Sequence, residues 1–435
     1  MKPSPHDTLS PTRRLIALAT LILAGEAIFV PPYHPGRYFR TTLLDAFGID
    51  EFQLGEAQAW YGLAAMICYA LGGPLADRFS PRLLMAGSIL ATGLGSLYMA
   101  TLPSLFGLKC LFAYWGASTI LAFWSPLARA TRALGGEGGQ GKAFGVVDGG
   151  RGFVALCVAV ASTAVVGGFL ADTPDGTRPS TDDTVSAMRW LMIGYTAFSV
   201  VAAVVVWCGV PRSLGAGKQK GPKLSAATLA GLLKRPAIWL QAAVVLTAYC
   251  AFKTFDYYGH YCEDLYGLSK AQSSMLTAWL TGLRIVAAFG AGWVADRFFG
   301  AAGTARLCFG LSAVAFGLLY AAPAGGWFAL VVGNLAVAWS ASCALRGVYF
   351  ATLQESSVPA SLTGSAAGLV SFVGFTPDIF WPLLAGWLVE SAREAGDVAA
   401  GYQRLWLLLA GLAIAGLVAA AFLRRQTVTP VRNPL

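Results

Sequence analysis

The chain has 435 residues, 56% of them hydrophobic and only 12% charged, and carries a formal charge of +9. A soluble domain has roughly 45–50% apolar and about 25% charged residues, so this composition points away from a soluble protein. The basic residues are scattered over short loops with no basic stripe or interleaved aromatics, which argues against a nucleic-acid partner.

A bilayer core of roughly 30 Å needs about 20 apolar residues per helix. About twelve stretches qualify, with approximate limits 14–33, 56–76, 82–102, 105–128, 143–170 and 188–210, then 236–260, 271–295, 303–323, 326–350, 363–390 and 404–423. The first run, Leu15 to Val30 after Arg13-Arg14, resembles a secretion signal; it lacks a small-residue cleavage site and contains Glu26, so it reads as a span. The second closes on Gly73-Pro74-Leu75-Ala76-Asp77-Arg78, and the eighth on Gly292-Trp293-Val294-Ala295-Asp296-Arg297, 219 positions later. At the same offset Gly145, Gly149 and Gly167 fall on Gly364, Gly368 and Gly386. A half-length repeat of membrane spans points to two similar helical bundles, the architecture of a secondary transporter.

Between the sixth and seventh spans, Pro211 to Pro236 is Gly-interrupted and lysine-rich. It reads as a linker, and its stretch Leu224 to Leu233 as a short surface helix. The expected division is therefore a bundle at 1–210, a linker at 211–235 and a second bundle at 236–435. Basic residues gather in one set of loops and acidic residues in the other, which places both termini in the cytoplasm and makes the span count even.

The eight cysteines (Cys68, Cys110, Cys157, Cys208, Cys250, Cys262, Cys308 and Cys343) are far apart with no Cys-x-x-Cys, and read as packing residues. His6, His34 and His260 are too few and dispersed for a metal cluster, and no cofactor is expected. No Gly-x-Ser-x-Gly, His-Glu-x-x-His or phosphate loop with its lysine occurs, so neither an enzyme nor an ATP-driven machine is indicated.

Two six-helix halves, a long central loop and Gly-x-x-x-Asp-Arg between spans two and three resemble the major facilitator superfamily. Leu54-Gly55 through Tyr61-Gly62 to Ala76-Asp77-Arg78-Phe79-Ser80-Pro81-Arg82 is similar to its organophosphate:phosphate antiporter branch, as are Gly364-Ser365-Ala366-Ala367-Gly368-Leu369 and Asp256 followed by Tyr261. The resemblance implies an all-α membrane protein of twelve transmembrane helices in two pseudo-symmetric bundles, sited in the inner membrane as a monomer. It assigns the motif residues Gly73, Asp77, Arg78, Gly292, Asp296 and Arg297 to locking one transport conformation. It also implies a phosphate site with one arginine from the first helix and one from the seventh. Arg37 lies near the first place; the aligned residue in the seventh span is not arginine, and Lys253, two positions on, is the nearest cation. A carboxylate or sugar acid therefore suits the site as well as an organic phosphate.

Gly73 and Asp77, four apart, share one helix face where a neighbouring backbone can approach. Asp77 could accept from the N–H groups opening the eleventh span near Gly364; simple helix termination with a positive anchor is the plainer alternative.

An ionisable group at the bilayer centre costs at least roughly 2.5–3.5 kcal/mol, so each needs a partner or a function. The candidates are Glu26, Asp148, Arg151, Lys253, Asp256, Arg284, Arg346 and Asp378. Glu26 is the lone acid of the first span, a proton-coupling candidate. Asp148 and Arg151, one turn apart, suit mutual pairing. Lys253, Asp256 and His260 share one helical face, as a solute or proton pathway or as a local pair with a wet histidine. Arg284 has no acid within one turn, so its partner comes from another helix or from the solute; Arg346 is similar. Arginine's fork suits carboxylate or phosphate in two-point contact. Asp378 follows Pro377, which bends the span beside it. Tyr33, Tyr257 and Trp124 could line the cavity around a sugar-like solute, although most Trp in such proteins sit at interfaces or in helix packing.

The excess of cations points to a carrier of a small organic anion, with protons or inorganic phosphate as co- or counter-substrate. A proton-coupled exporter of hydrophobic compounds, or a transporter-like sensor of an extracellular sugar phosphate, are the alternatives. The glycine-proline signature of such exporters is missing from the fifth span, and no cytoplasmic loop resembles a docking domain for a sensor's partner.

Overall fold

A computed structural model describes residues 10–170, 180–212, 214, 226–322, 325–349, 351–354 and 363–428, without the side chains at 70, 72–74, 76–77, 136–142, 144, 226–229, 353–354, 363–365 and 424–428. Every regular element among these residues is helical. The first half comprises α1 (Pro11–Ala27), α2 (Val30–Tyr38), α3 (Arg40–Phe47), α4 (Glu51–Arg78), α5 (Pro81–Ala100), α6 (Leu105–Thr119), α7 (Ser125–Leu170) and α8 (Thr181–Gly209). After α9 (Ala226–Leu233), the second half comprises α10 (Pro236–Lys253), α11 (Tyr258–Tyr266), α12 (Lys270–Val294), α13 (Gly300–Ala321), α14 (Phe328–Val348), α15 (Ala351–Gln354), α16 (Thr363–Gly374), α17 (Pro377–Glu394) and α18 (Val398–Val428).

Local chemistry sets the helix ends. Ser10, Ser80 and Ser104 cap the starts of α1, α5 and α6 by accepting a backbone N–H. Asp50 with Gln53, and Ser180 with Asp183, close reciprocal capping boxes on α4 and α8. The first span runs past its expected end at 33 because Pro31 and Pro32 open a new helix rather than a loop. Proline cannot continue the hydrogen-bond ladder of α1, so the axis turns by 58° between α1 and α2. The chain breaks again at Tyr38–Arg40 and, at the repeat offset, at Tyr257–Tyr258 after a 3-10 turn over Thr254–Tyr257.

Among the described residues, nine helices are long and apolar enough to cross a membrane, or ten if the bent α1–α2 pair is one span. One of these runs, Lys270–Ala321, is 52 residues long. A core of roughly 30 Å takes about 20 residues, and Gly300 at φ 70 separates α12 from α13, so this run is two spans. With the 28 residues of α4, the set agrees with twelve.

Packing divides the chain into two compact units. The first holds Met1–Gln219, Asp256–Ile285 and Asp378–Glu390; the second holds Lys220–Phe255, Val286–Pro377 and Ser391–Leu435. One buried apolar cluster of the first unit contains Ala17, Leu21, Met85, Ile89, Phe123 and Val206. That of the second contains Leu232 of α9 with Val245, Phe309, Leu345, Val370 and Ala420. Glycines let backbones touch inside the first unit. A Cβ on Gly62 would meet the Asp378 and Ile379 backbone, one on Gly55 the Pro382 carbonyl, and one on Gly386 the Glu51 carbonyl.

Gly62→Ala should therefore lower the melting temperature in detergent, since overpacking costs about 1–3 kcal/mol. Gly87→Ala, with open space around the new methyl, should be neutral or raise it through helix propensity.

Candidate functional site

Four charged side chains from three helices of the first unit form a closed ring. Glu26 of α1 is almost fully buried, and its Oε2 lies 3.2 Å from Arg151 Nε and 3.6 Å from Arg284 Nη1. Asp148 Oδ1 lies 3.5 Å from Arg151 Nη1 and 3.1 Å from Arg284 Nη2. Each carboxylate thus touches both guanidiniums, and the formal charges cancel. Small residues make the room. A Cβ on Gly25 would stand 2.9 Å from Arg151 Cδ, and one on Gly152 3.5 Å from the Arg284 stem. The corners differ in access: the Asp148 side chain is 31% exposed, whereas Glu26 is 4% exposed. The ring therefore has one wet corner. His34 borders its dry side, with Nε2 3.7 Å from Glu26 Oε1.

Arg37, buried rather than beyond the end of a span, donates from Nε to Asp256 Oδ1 at 2.6 Å. These residues are 219 positions apart, the offset of the repeat. The Tyr38 and Thr281 hydroxyls are 2.9 Å apart. The Tyr33 ring meets Tyr61 edge-on at 5.0 Å, and the Tyr61 hydroxyl lies 2.7 Å from Thr119 Oγ1.

A second charged cluster engages residues that sequence reasoning missed. Arg40 Nε lies 2.9 and 2.8 Å from the two oxygens of Glu51, and its guanidinium sits 4.0 Å from the centroid of the Tyr257 ring. His260 bridges Glu51 Oε1 at 2.5 Å and Asp264 Oδ2 at 3.2 Å. Thr41 donates to Glu263, Lys270 pairs with Asp45, and Glu390 accepts from the Glu51 N–H. The sequence gives little signal for Arg40, which lies three residues beyond Arg37 but across the helix break at Phe39. The 3-10 turn likewise redistributes the shared face expected for Lys253, Asp256 and His260, giving Asp256 to Arg37 and His260 to Glu51.

In the second unit Lys253 is buried at the end of α10. Arg346 is half-buried, with its guanidinium 4.0 Å from the Phe252 ring centroid, a cation–π contact. Trp339 stacks on Phe255 at 3.7 Å. Asp378 is buried in the first turn of α17, where Phe375 and Thr376 interrupt the eleventh span ahead of Pro377. Trp124 packs against the apolar core of the first unit. In the gating motifs, Arg78 is exposed at the end of α4, while the surroundings of Gly73 and Asp77 lie outside the described residues. Asp296 and Arg297 are exposed on a π-helical turn, Ala295–Phe299, and Gly292 has open space around it.

Residues 16–382 match the Major Facilitator Superfamily. The chain belongs to this superfamily. It is 25% identical over 415 residues to the inner membrane protein YqcE of Escherichia coli (strain K12), covering 93% of each chain. It is 24% identical over 442 residues to the inner membrane protein YihN of the same strain, covering 95% of this chain and 96% of the relative. A crystal structure of the nucleoside transporter NupG superposes with a TM-score of 0.68 at 18% identity, over 94% of this chain and 98% of that one. The protein is thus a multi-pass membrane transporter with the major facilitator fold, not an enzyme.

Removing one partner of a buried pair strands the other charge and costs about 3–5 kcal/mol. Glu26→Gln and Arg284→Gln should each destabilise the purified protein on that scale, and the double variant by clearly less than their sum, read as a double-mutant cycle of melting free energies. Because Arg37 and Asp256 occupy equivalent places, the exchanged pair Arg37→Asp with Asp256→Arg should recover most of the melting temperature lost by either single change.

Proposed function

We propose that the protein is a secondary transporter that carries a small organic anion (a sugar phosphate, sugar acid or carboxylate) across the cytoplasmic membrane by alternating access, coupled to protons. The ring Glu26–Arg151–Asp148–Arg284 carries this reading. Arginine stays charged under all relevant conditions and binds planar carboxylate or phosphate through two N–H groups at once. Asp148 occupies the wet corner of the ring as an internal stand-in for such a group. An incoming anion competes with it for Arg284, and Asp148 can turn toward water. Lys253 and Arg346 are further cations, in the second unit, and Arg37, Tyr33, Tyr257 and Trp124 are candidate contacts for the solute. Antiport against inorganic phosphate is the variant in which a leaving anion, rather than a proton, balances the charge.

The bundles 1–210 and 236–435, joined by the 211–235 linker with both termini in the cytoplasm, rock about the midplane in this reading. The Arg40–Glu51–His260 cluster and the Lys270–Asp45 pair supply an extracellular latch. The motifs at Asp77 and Asp296 act at the cytoplasmic side. One monomer in the bilayer holds the whole pathway.

A second reading, a neutral polar solute, is favoured by one observation: both guanidiniums of the ring already have carboxylate partners. NupG, whose fold this chain shares, is itself a nucleoside transporter. Labelled glucose 6-phosphate, gluconate, succinate and uridine offered to reconstituted vesicles separate the two. The anion reading expects uptake of at least one anion, lost by more than about tenfold in Arg284→Gln, the loss of one bidentate charged contact. Uptake of uridine alone, unchanged in Arg284→Gln, overturns it.

A further inference from the structure

The anion reading leaves one question that its own ring does not answer: where the coupled proton sits. Glu26 and Asp148 are both engaged as counter-ions, each against two guanidiniums. Arg151 and Arg284 do not titrate. The ring is therefore neutral as it stands, and an added anion leaves the site one negative charge in excess.

His34 lies beside this ring and is used by nothing described so far. It is 1% exposed, and neither of its ring nitrogens has a hydrogen-bond partner among the described residues. Leaving a buried polar group this way is costly, so such groups are expected to be satisfied in some other state of the protein. The nearest acceptor is in place: Nε2 stands 3.7 Å from Glu26 Oε1, too far for a hydrogen bond and within reach of a shift of about 1 Å. Aromatic rings hold the imidazole edge-on, Tyr38 at 4.9 Å and Tyr195 at 6.0 Å between centroids. The charged groups facing it are Glu26 from α1, Arg37 from α2 and Asp256 from the 3-10 turn after α10, with Tyr38 and Tyr195 the titratable neighbours. Histidine is the side chain whose ordinary titration falls near neutral pH.

The repeat adds an independent argument. At the 219 offset, His34 corresponds to Lys253, as Arg37 corresponds to Asp256 and Tyr38 to Tyr257. The second half thus places a lysine where the first half places an imidazole that can gain or lose its charge.

We infer that His34 is the proton site of the transport cycle, taking up the proton that accompanies the anion. The inference rests on the anion reading. When the solute occupies Arg284, His34 takes a proton from water on the side where the solute enters. Its Nε2–H closes on Glu26, and the loaded site returns to neutrality. On release, the anion and the proton leave to water on the other side, and Asp148 returns to Arg284. One monovalent anion therefore moves with one proton.

Purified protein in weakly buffered detergent at neutral pH, containing a pH-sensitive dye, is mixed with whichever of glucose 6-phosphate, gluconate or succinate raises its melting temperature. Wild type should take up about one proton per bound anion, the capacity of a single imidazole. In His34→Gln the uptake should fall by more than about fivefold, while the thermal shift shows that the solute is still bound. Equal proton uptake in wild type and His34→Gln overturns the assignment to His34 and leaves the anion reading standing. No thermal shift with any of the three anions overturns both. Should His34→Gln fail to fold, wild type labelled with [15N]histidine decides the matter. Conversion of the His34 imidazole from neutral to doubly protonated on adding the anion supports the site, and an unchanged signal overturns it.

Discussion

The structure of this transporter is governed by the cost of placing charge inside a membrane-spanning fold. Glu26 is nearly buried in the first span, and alone it would be untenable there. Two guanidiniums from two other helices meet it, and Asp148 returns the total to zero. The ring joins α1, α7 and α12, so elements far apart in the chain are held by a requirement that no single helix can meet. Gly25 is the packing counterpart of that requirement, because a side chain there would meet the Arg151 stem at 2.9 Å.

A neutral ring of four charges can also be rearranged. Carboxylates compete with a solute anion for the same N–H groups, and the exchange leaves the number of ion contacts nearly constant. The wet corner at Asp148 gives the exchange a place to begin, and the dry corner at Glu26 gives the ring a fixed anchor. A site of this kind differs from a pocket with bare cations, which would hold an anion tightly and release it slowly. In the proposed anion cycle its neutrality also means that a charge carried in is balanced by a proton or a counter-anion.

Much of this was legible in the sequence. The apolar runs gave the spans, and the offset of 219 between Asp77 and Asp296 pointed to a half-length repeat. The cost of buried charge singled out Glu26, Asp148, Arg151, Asp256 and Arg284 one by one. Their pairing was not legible, because partners lie 125 and 136 positions apart and no local spacing relates them. The excess of cations was overcounted for the same reason: Arg37 and Arg284 each have a carboxylate supplied from the other half of the chain. Arg40 and Glu51 fall outside the apolar runs, yet both are buried. The breaks near Tyr38 and Tyr257 were hidden too. Pro31, Pro32 and Pro35 were visible, but proline at a helix start and proline in a loop leave the same mark in sequence.

Competition between the solute and the ring's own carboxylates is the central claim, and an experimental structure of the protein loaded with its anion tests it most directly. The account predicts solute oxygens within hydrogen-bond distance of Arg284, with Asp148 turned away from that guanidinium and Glu26 still in place. A loaded structure in which Glu26 and Asp148 keep all four ion contacts, with the solute touching neither Arg151 nor Arg284, would contradict it.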